Sequence, residues 1–339
     1  DNIFVISRPE VPTDPAKPRK KFILLLATLG GLGLGTGLCF FVDYLDTTVK
    51  SKEDVQELVD APVLGYVPAV STGSTGGSDG EEDRPIELNA LEDSRGPLAE
   101  SFRSIRTALA FSDRDQELQR TVVTSSLPRE GKTMVSINIA LTLARAEKRV
   151  LLVDADMRKP RLHKVLDLPA QPGLSNLLSG EPNVSIEGAC QTFPGLPGLK
   201  FLGCGPIPPN PSELLSADRI DALLERAEES FDAVVFDTPP VVNVTDAAAL
   251  SQHTDGALLV MRTFSTQQDF AERAVEVFEK AGSTVRGVIL NTVDVPKGGY
   301  YGYDPYYRYY HSNYYYYYGK DRSGENVRKR RKRRSSARA

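Results

Sequence analysis

The chain has 339 residues, a quarter of them charged, and a net charge of −4, room for one large globular domain or two modest ones. Its three cysteines (Cys39, Cys190, Cys204) and three histidines fall at no metal-binding or redox spacing, so the cysteines read as free thiols and a disulfide scaffold is excluded. Charge is uneven: residues 319–339 carry ten Lys/Arg against two acids, +8, which leaves −12 for the rest, and a terminal basic run suits acidic lipid or phosphotyrosine better than nucleic acid.

The chain begins at Asp1 with no signal-peptide pattern, and the expectation is a piece of a longer protein cut upstream. The Pro-rich stretch Pro9–Pro18 is stiff and extended. Phe22 to Val42 is 21 residues without a charge; at about 1.5 Å per residue it covers about 31 Å, one bilayer core. Gly31/Gly35 and Gly33/Gly37 sit at a spacing that lets helices approach closely in lipid. Arg19, Lys20 and Lys21 ahead of the span would place the N-terminus in the cytoplasm, whereas an ATP site downstream demands the reverse; the ATP argument is preferred.

Ser51-Lys-Glu-Asp54 has the pattern of a capping box opening a short helix, and residues 71–84 (STGSTGGSDGEEDR) are a Gly/Ser-rich linker. The stretch Pro97–Ser112 reads as a helix. Along it, Glu100, Arg103 and Arg106 drift round one side, a spacing that by itself is read as intrahelical pairing on a solvated face.

From residue 120 apolar, β-branched strands alternate with helical stretches: Thr121–Ser125, Val150–Asp154, Leu199–Gly203, Ala233–Asp237, Ala257–Met261 and Val288–Asn291. This predicts an α/β fold with a mostly parallel sheet, whose ligands bind at the carboxyl ends of the strands. The first of these strands runs into Ser125-Ser-Leu-Pro-Arg-Glu-Gly-Lys132-Thr133 and then a helix. Backbone amides at such a turn favour phosphate; Lys132 would reach the β/γ-phosphates and the Thr133 hydroxyl would bind Mg2+. Ser126 stands where the strict phosphate-loop pattern has its first glycine, and Ser126, Arg129, Glu130, Gly131 and Met134 complete the candidate nucleotide loop. Asp154 and Asp156 in LLVDADMR, and Asp237 in FDAVVFDTPP, end neighbouring strands. Carboxylates there are costly unless they hold a cation or a hydrogen-bond partner.

Twelve of the 19 residues from 300 to 318 are tyrosine: Tyr300, Tyr301, Tyr303, Tyr306, Tyr307, Tyr309, Tyr310, Tyr314, Tyr315, Tyr316, Tyr317 and Tyr318. The interleaved residues have no helical or strand period, so the segment is a dense array of phenols behind an ATP site and a candidate substrate for it. About five phosphates there would add roughly −8 to −10 charges, enough to cancel the basic terminus.

These residues together resemble the bacterial tyrosine kinases (BY-kinases) of the polysaccharide co-polymerase type. Gly131-Lys132-Thr133 is similar to that family's Walker A motif, Asp154-Ala-Asp156 to its Walker A′ and Asp237 to its Walker B. The segment Cys204–Leu215, the Pro-rich run, the membrane span, the DTTVKSKEDV stretch and the terminal tyrosines also resemble the family. The resemblance implies a P-loop NTPase-like domain at 96–295, preceded by the end of a periplasmic region (1–21), a transmembrane helix (22–42) and a juxtamembrane segment with linker (43–95), and followed by the tyrosine and basic tail (296–339). It implies ATP and Mg2+ as cofactors, with Thr133, Asp156 and Asp237 at the metal and Asp154 orienting or deprotonating the incoming tyrosine; the choice of base between Asp154 and Asp156 stays open. It implies that Glu100, Arg103 and Arg106 contact a neighbouring subunit in a ring whose tails are phosphorylated in trans. The implied partners are other copies of the chain, polysaccharide polymerase and export machinery, a tyrosine phosphatase and the lipid of the bacterial inner membrane. Asn291 resembles a position that contacts adenine, though a turn-forming Asn serves equally. Arg129 departs from the family, which has glycine there. Two other readings stand: a nucleotide-binding scaffold with weak catalysis, and a ParA/MinD-like ATPase, whose signature lysine is replaced by Leu127.

Overall fold

A computed structural model describes residues 19–69, 86–88, 96–112, 119–215 and 219–293. The linker at 71–84, the Pro-rich run and the tyrosine and basic tail lie outside the described residues. The chain divides into two units, one ending at Thr47 and one beginning at Thr48.

The first unit is a single helix, α1 (Lys20–Leu45), of 26 residues. It is long and apolar enough to cross a membrane, about 39 Å at the standard rise, and its large apolar side chains are all exposed. With no core of its own to bury them, the apolar surface must be covered by something other than this unit.

The second unit opens on α2 (Lys52–Leu58), started as its sequence dictates: Ser51 Oγ accepts from the Asp54 amide, and the Asp54 carboxylate accepts from the Ser51 and Lys50 amides. This reciprocal cap satisfies amides that a helix start leaves open. Strand β1 (Val63–Pro68) follows, then a 3-10 turn at Ile86–Leu88 and helix α3 (Pro97–Ser112). The phosphate-loop unit is β2 (Arg120–Ser125), α4 (Lys132–Ala144) and β3 (Val150–Asp154). Next come three short helices, α5 (Leu162–Leu166), α6 (Leu174–Ser179) and α7 (Ile186–Ala189), a hairpin of β4 (Gln191–Thr192) and β5 (Leu199–Leu202), and helices α8 (Pro211–Leu215) and α9 (Arg219–Ser230). The chain closes with β6 (Ala233–Asp237), α10 (Asp246–Ser251), β7 (Ala257–Arg262), α11 (Gln268–Lys280) and β8 (Val285–Val293).

The strands form one sheet in the order β1-β8-β7-β2-β6-β3-β5-β4, parallel except for β4 against β5. Both faces are covered, as a parallel sheet requires. Alternate residues of β3 enter opposite cores, Leu151 and Val153 one layer and Val150 and Leu152 the other. Each such burial contributes about 1.5–3 kcal/mol, so a charge at Val153 would undo the local packing. The expected strands are all present.

Two strands were not anticipated. The residues 48–69, read as juxtamembrane, are built into this unit: β1 is an edge strand paired parallel to β8, and Val49 exchanges backbone hydrogen bonds with the 264–266 segment. Gly65 lets β1 lie under α3, because a Cβ there would stand 2.5 Å from Ile105 Cγ1. The strand order places β2, β6 and β3 side by side, and the register sets Asp154 directly beside Asp237.

Candidate active site

The carboxyl ends of β2, β6 and β3 converge on the loop 126–131. Gly131 takes φ +97°, and a Cβ there would fall 2.0 Å from Asn291 Nδ2; only glycine fits, for backbone and for space. Asn291, in β8, donates from Nδ2 to the Glu130 carbonyl at 2.8 Å. The Glu130 carboxylate is buried inside its own loop, where it accepts from the Leu127 amide at 2.7 Å and from the Thr266 hydroxyl. Burial pushes its pKa up to about 7 against the hydrogen bonds, which lower it. Arg129 holds φ +69°, the left-handed conformation in which the family's glycine would rest without strain.

Lys132 opens α4 and turns its ammonium onto the acids: Nζ lies 3.0 Å from Asp156 Oδ2 and 3.6 Å from Asp237 Oδ1. Burial alone would lower the pKa of this lysine; the carboxylates of Asp237 and Asp156 outweigh it and raise it. Thr133 Oγ1 donates to Asp237 Oδ2 at 2.8 Å and Ser136 Oγ to Asp237 Oδ1 at 3.1 Å. Asp237 is held above the usual carboxylate range by burial, with Lys132 and the two hydroxyls working in the other direction. Asp156 Oδ1 accepts from the Lys159 amide.

Asp154 is fully buried. Its Oδ2 accepts from the Leu162 amide at 3.1 Å, while Oδ1 has no partner. Burial first, then the charge of Asp237, pushes its pKa up to about 8. A buried acceptor without a partner is uncommon in a folded protein, and the Ser126 hydroxyl is a second one in the same loop region. Thr133, Asp156 and Asp237 are hard oxygen donors of the kind Mg2+ takes, usually one or two carboxylates with water and phosphate completing the shell.

Lys132, Thr133, Asp154, Asp156, Asp237, Gly131, Glu130 and Asn291 are thus brought together as the sequence grouped them. Glu100, Arg103 and Arg106 are not part of this cluster. Arg103 Nε and Nη2 each lie 2.8 Å from Glu100 Oε2 within α3, and Arg106 donates to the Thr142 carbonyl of α4 at 3.3 Å.

Sequence reasoning missed several contacts. Arg158 forks onto the buried Asp246 carboxylate, Nε at 2.8 Å and Nη2 at 2.9 Å, and Ser212 donates to the same group. This joins the loop after β3 to α10 and α8. Arg161 pairs with Glu87, whose carbonyl accepts from Asn138 of α4, so the turn at 86–88 is pinned beside that loop. Thr266 on Glu130 was missed as well. Arg158 lay in the quoted DADMR run, but its partner is 88 residues away.

A phosphate loop on a parallel sheet, with acids ending the next two strands on one side, β6 and β3, defines a P-loop nucleotide-binding domain. Residues 124–308 match the CobQ/CobB/MinD/ParA nucleotide binding domain family. Within that class, the chain is 36% identical over 299 residues to tyrosine-protein kinase ptk of Acinetobacter johnsonii, covering 88% of this chain and 40% of that one. It is 36% identical over 214 residues to tyrosine-protein kinase YwqD of Bacillus subtilis, covering 63% of this chain and 89% of YwqD. The kinase domain of the Escherichia coli tyrosine kinase ETK superposes with a TM-score of 0.66 at 30% identity, over 76% of this chain and 99% of that domain. The chain belongs to the bacterial tyrosine-protein kinase family, and spans 40% of the length of the Acinetobacter kinase.

Proposed function

We propose that this chain is an ATP- and Mg2+-dependent protein-tyrosine autokinase that phosphorylates the tyrosine cluster at 300–318. The observation that carries this is the placement of Lys132 against Asp156 and Asp237, with the buried, half-satisfied Asp154 at the same register level. Phosphoryl transfer needs positioning and charge neutralisation more than covalent chemistry. Lys132 would neutralise charge on the γ-phosphate, and Thr133, Asp156 and Asp237 would hold the metal. When bound, Mg2+ would supply positive charge to offset that of the phosphates. Asp154 would take the phenolic proton as the tyrosine oxygen bonds to phosphorus and the bond to the ADP oxygen breaks. The raised pKa of Asp154 makes its ionised form a stronger base than an ordinary carboxylate and closer to phenol, which ionises near pH 10.

In the same reading the subunits assemble as a ring through Glu100, Arg103 and Arg106, each tail serving a neighbour in trans. Accumulating phosphates would loosen the ring and so regulate polysaccharide polymerisation and export, with a phosphatase resetting it. The first unit would cross the bacterial inner membrane with its N-terminal side periplasmic and the nucleotide site in the cytoplasm, where ATP is.

The test is an autophosphorylation assay on wild type, Lys132→Met and a deletion of 300–318, probed for phosphotyrosine. Wild type alone should label strongly. Signal surviving in Lys132→Met would exclude self-catalysis, and silence in wild type with nucleotide binding intact would favour the scaffold.

A further inference from the structure

We propose that Thr266 is a positioning residue for the phosphate loop, acting through the Glu130 carboxylate to set the affinity of the site for ATP and ADP. The inference rests on the nucleotide-binding reading above and adds to it a residue outside every motif in the sequence.

Glu130 is flanked by two left-handed residues, Arg129 at φ +69° and Gly131 at φ +97°. Such a backbone does not hold its shape unaided and persists where its surroundings over-determine it. Here Glu130 supplies the restraint, tied to Leu127 within the loop and to Asn291 and Thr266 outside it. Thr266 and Glu130 are 1% and 3% exposed, so water does not stand in for a lost partner.

The Thr266 hydroxyl is itself aimed. Its oxygen accepts from the Arg262 amide at 2.9 Å, which leaves its proton to Glu130. Its carbonyl accepts from the Val49 amide at 2.8 Å, which fixes the main chain that carries it. Thr266 is therefore a rigid donor on a loop that is not part of the phosphate loop. Without it the carboxylate keeps the Leu127 amide but loses the one side-chain donor it has among the described residues, in a place where water does not reach it. The least costly response is for Glu130 to turn toward water, shifting the 127–131 backbone, while Lys132 stays held by Asp156 and Asp237. The loss falls on nucleotide affinity. The acids that would act in transfer are attached to β3 and β6 and stay in place.

The experiment uses the full chain in detergent and measures equilibrium binding of a fluorescent ADP analogue with Mg2+, alongside the ATP dependence of autophosphorylation. Thr266→Val keeps the shape and removes the donor; it should weaken binding about ten-fold and raise KM for ATP, with kcat at saturating ATP within about three-fold of wild type. Thr266→Ser should restore binding to within about two-fold. In a double-mutant cycle with Glu130→Gln the two losses should be strongly non-additive, because one acts through the other. Thr266→Ala replaces the valine variant if thermal melts show that the latter does not fold. Wild-type binding with unchanged affinity in the valine variant overturns the positioning role, as do additive losses or a fall in kcat alone. Failure of wild type to bind the probe sinks the nucleotide reading instead, and this inference with it.

Discussion

Replacing Arg129 by glycine should stabilise the protein. Arg129 is exposed and holds φ +69°, a conformation that costs a residue with a β-carbon about 1–2 kcal/mol. Glycine removes that cost but frees the unfolded chain, which returns about 0.4–1 kcal/mol. The net gain is about 0.5–1 kcal/mol, or a rise in Tm of about 1–4 °C for a domain of this size. Arg129→Ala is the control that separates backbone from side chain, since alanine keeps the β-carbon and loses the charge. Melts of the three proteins without nucleotide, followed by near-ultraviolet circular dichroism, give the comparison. Glycine should melt highest, with alanine at or below wild type. A lower Tm for Arg129→Gly, or an equal rise in both variants, would refute the argument from strain.

Glu130→Gln should change how stability depends on pH. The folded carboxyl keeps its proton to about pH 7, against an ordinary value of 4.5, so its contribution is greatest below pH 4.5 and is lost as pH climbs to 7, about 3 kcal/mol at most. Glutamine has no proton to lose, and Tm for the variant minus wild type should therefore rise across that window; parallel curves would count against the assignment. Asp246→Asn leaves Arg158 with a weaker acceptor; because that arginine is 41% exposed, the cost should be only about 1–2 kcal/mol in urea unfolding, and a change under about 0.3 kcal/mol would mean that solvent replaces the pair. Gly65→Ala drives a methyl to 2.5 Å from Ile105 and should cost about 1–3 kcal/mol. Combined with Ile105→Ala the two losses should fall short of their sum, and strict additivity in chemical denaturation would show that β1 and α3 do not meet there.

The sequence showed the central sheet because its strands are buried on both faces and read as unbroken apolar runs, and because three of them end in Ser125, Asp154 and Asp237. The capping box at Ser51 was legible for the same local reason: both partners lie within one turn. What escaped was non-local or diluted. Strand β1 carries Gly65 and Pro68, which weaken a strand pattern, and it belongs to the sheet only through pairing with a strand more than 200 residues later. Strand β4 is two residues long. Thr266 and Asp246 are single polar residues in ordinary loops, and their meaning comes from a buried carboxylate and an arginine that folding brings to them. Glu100 and Arg103 pair within α3 in a single chain, as their spacing alone suggested, whereas the neighbouring subunit was implied by the family resemblance and not by the spacing.

Strand β8, between β1 and β7, ends at Val293 on the same side as the phosphate loop, with Asn291 against Gly131. Tyr300 is nine residues past Asn291, so the chain can carry it no farther than about 30 Å from its own loop. A tether of that length corresponds to an effective concentration in the millimolar range. If the cluster is the acceptor as proposed, its first tyrosines and a chain's own site are never dilute with respect to one another, whatever the protein concentration. Transfer between subunits has to outrun that tether by geometry, not by encounter. The last tyrosines, released from it by eighteen further residues, are the ones whose labelling should fall most steeply when the protein is diluted below the point of assembly.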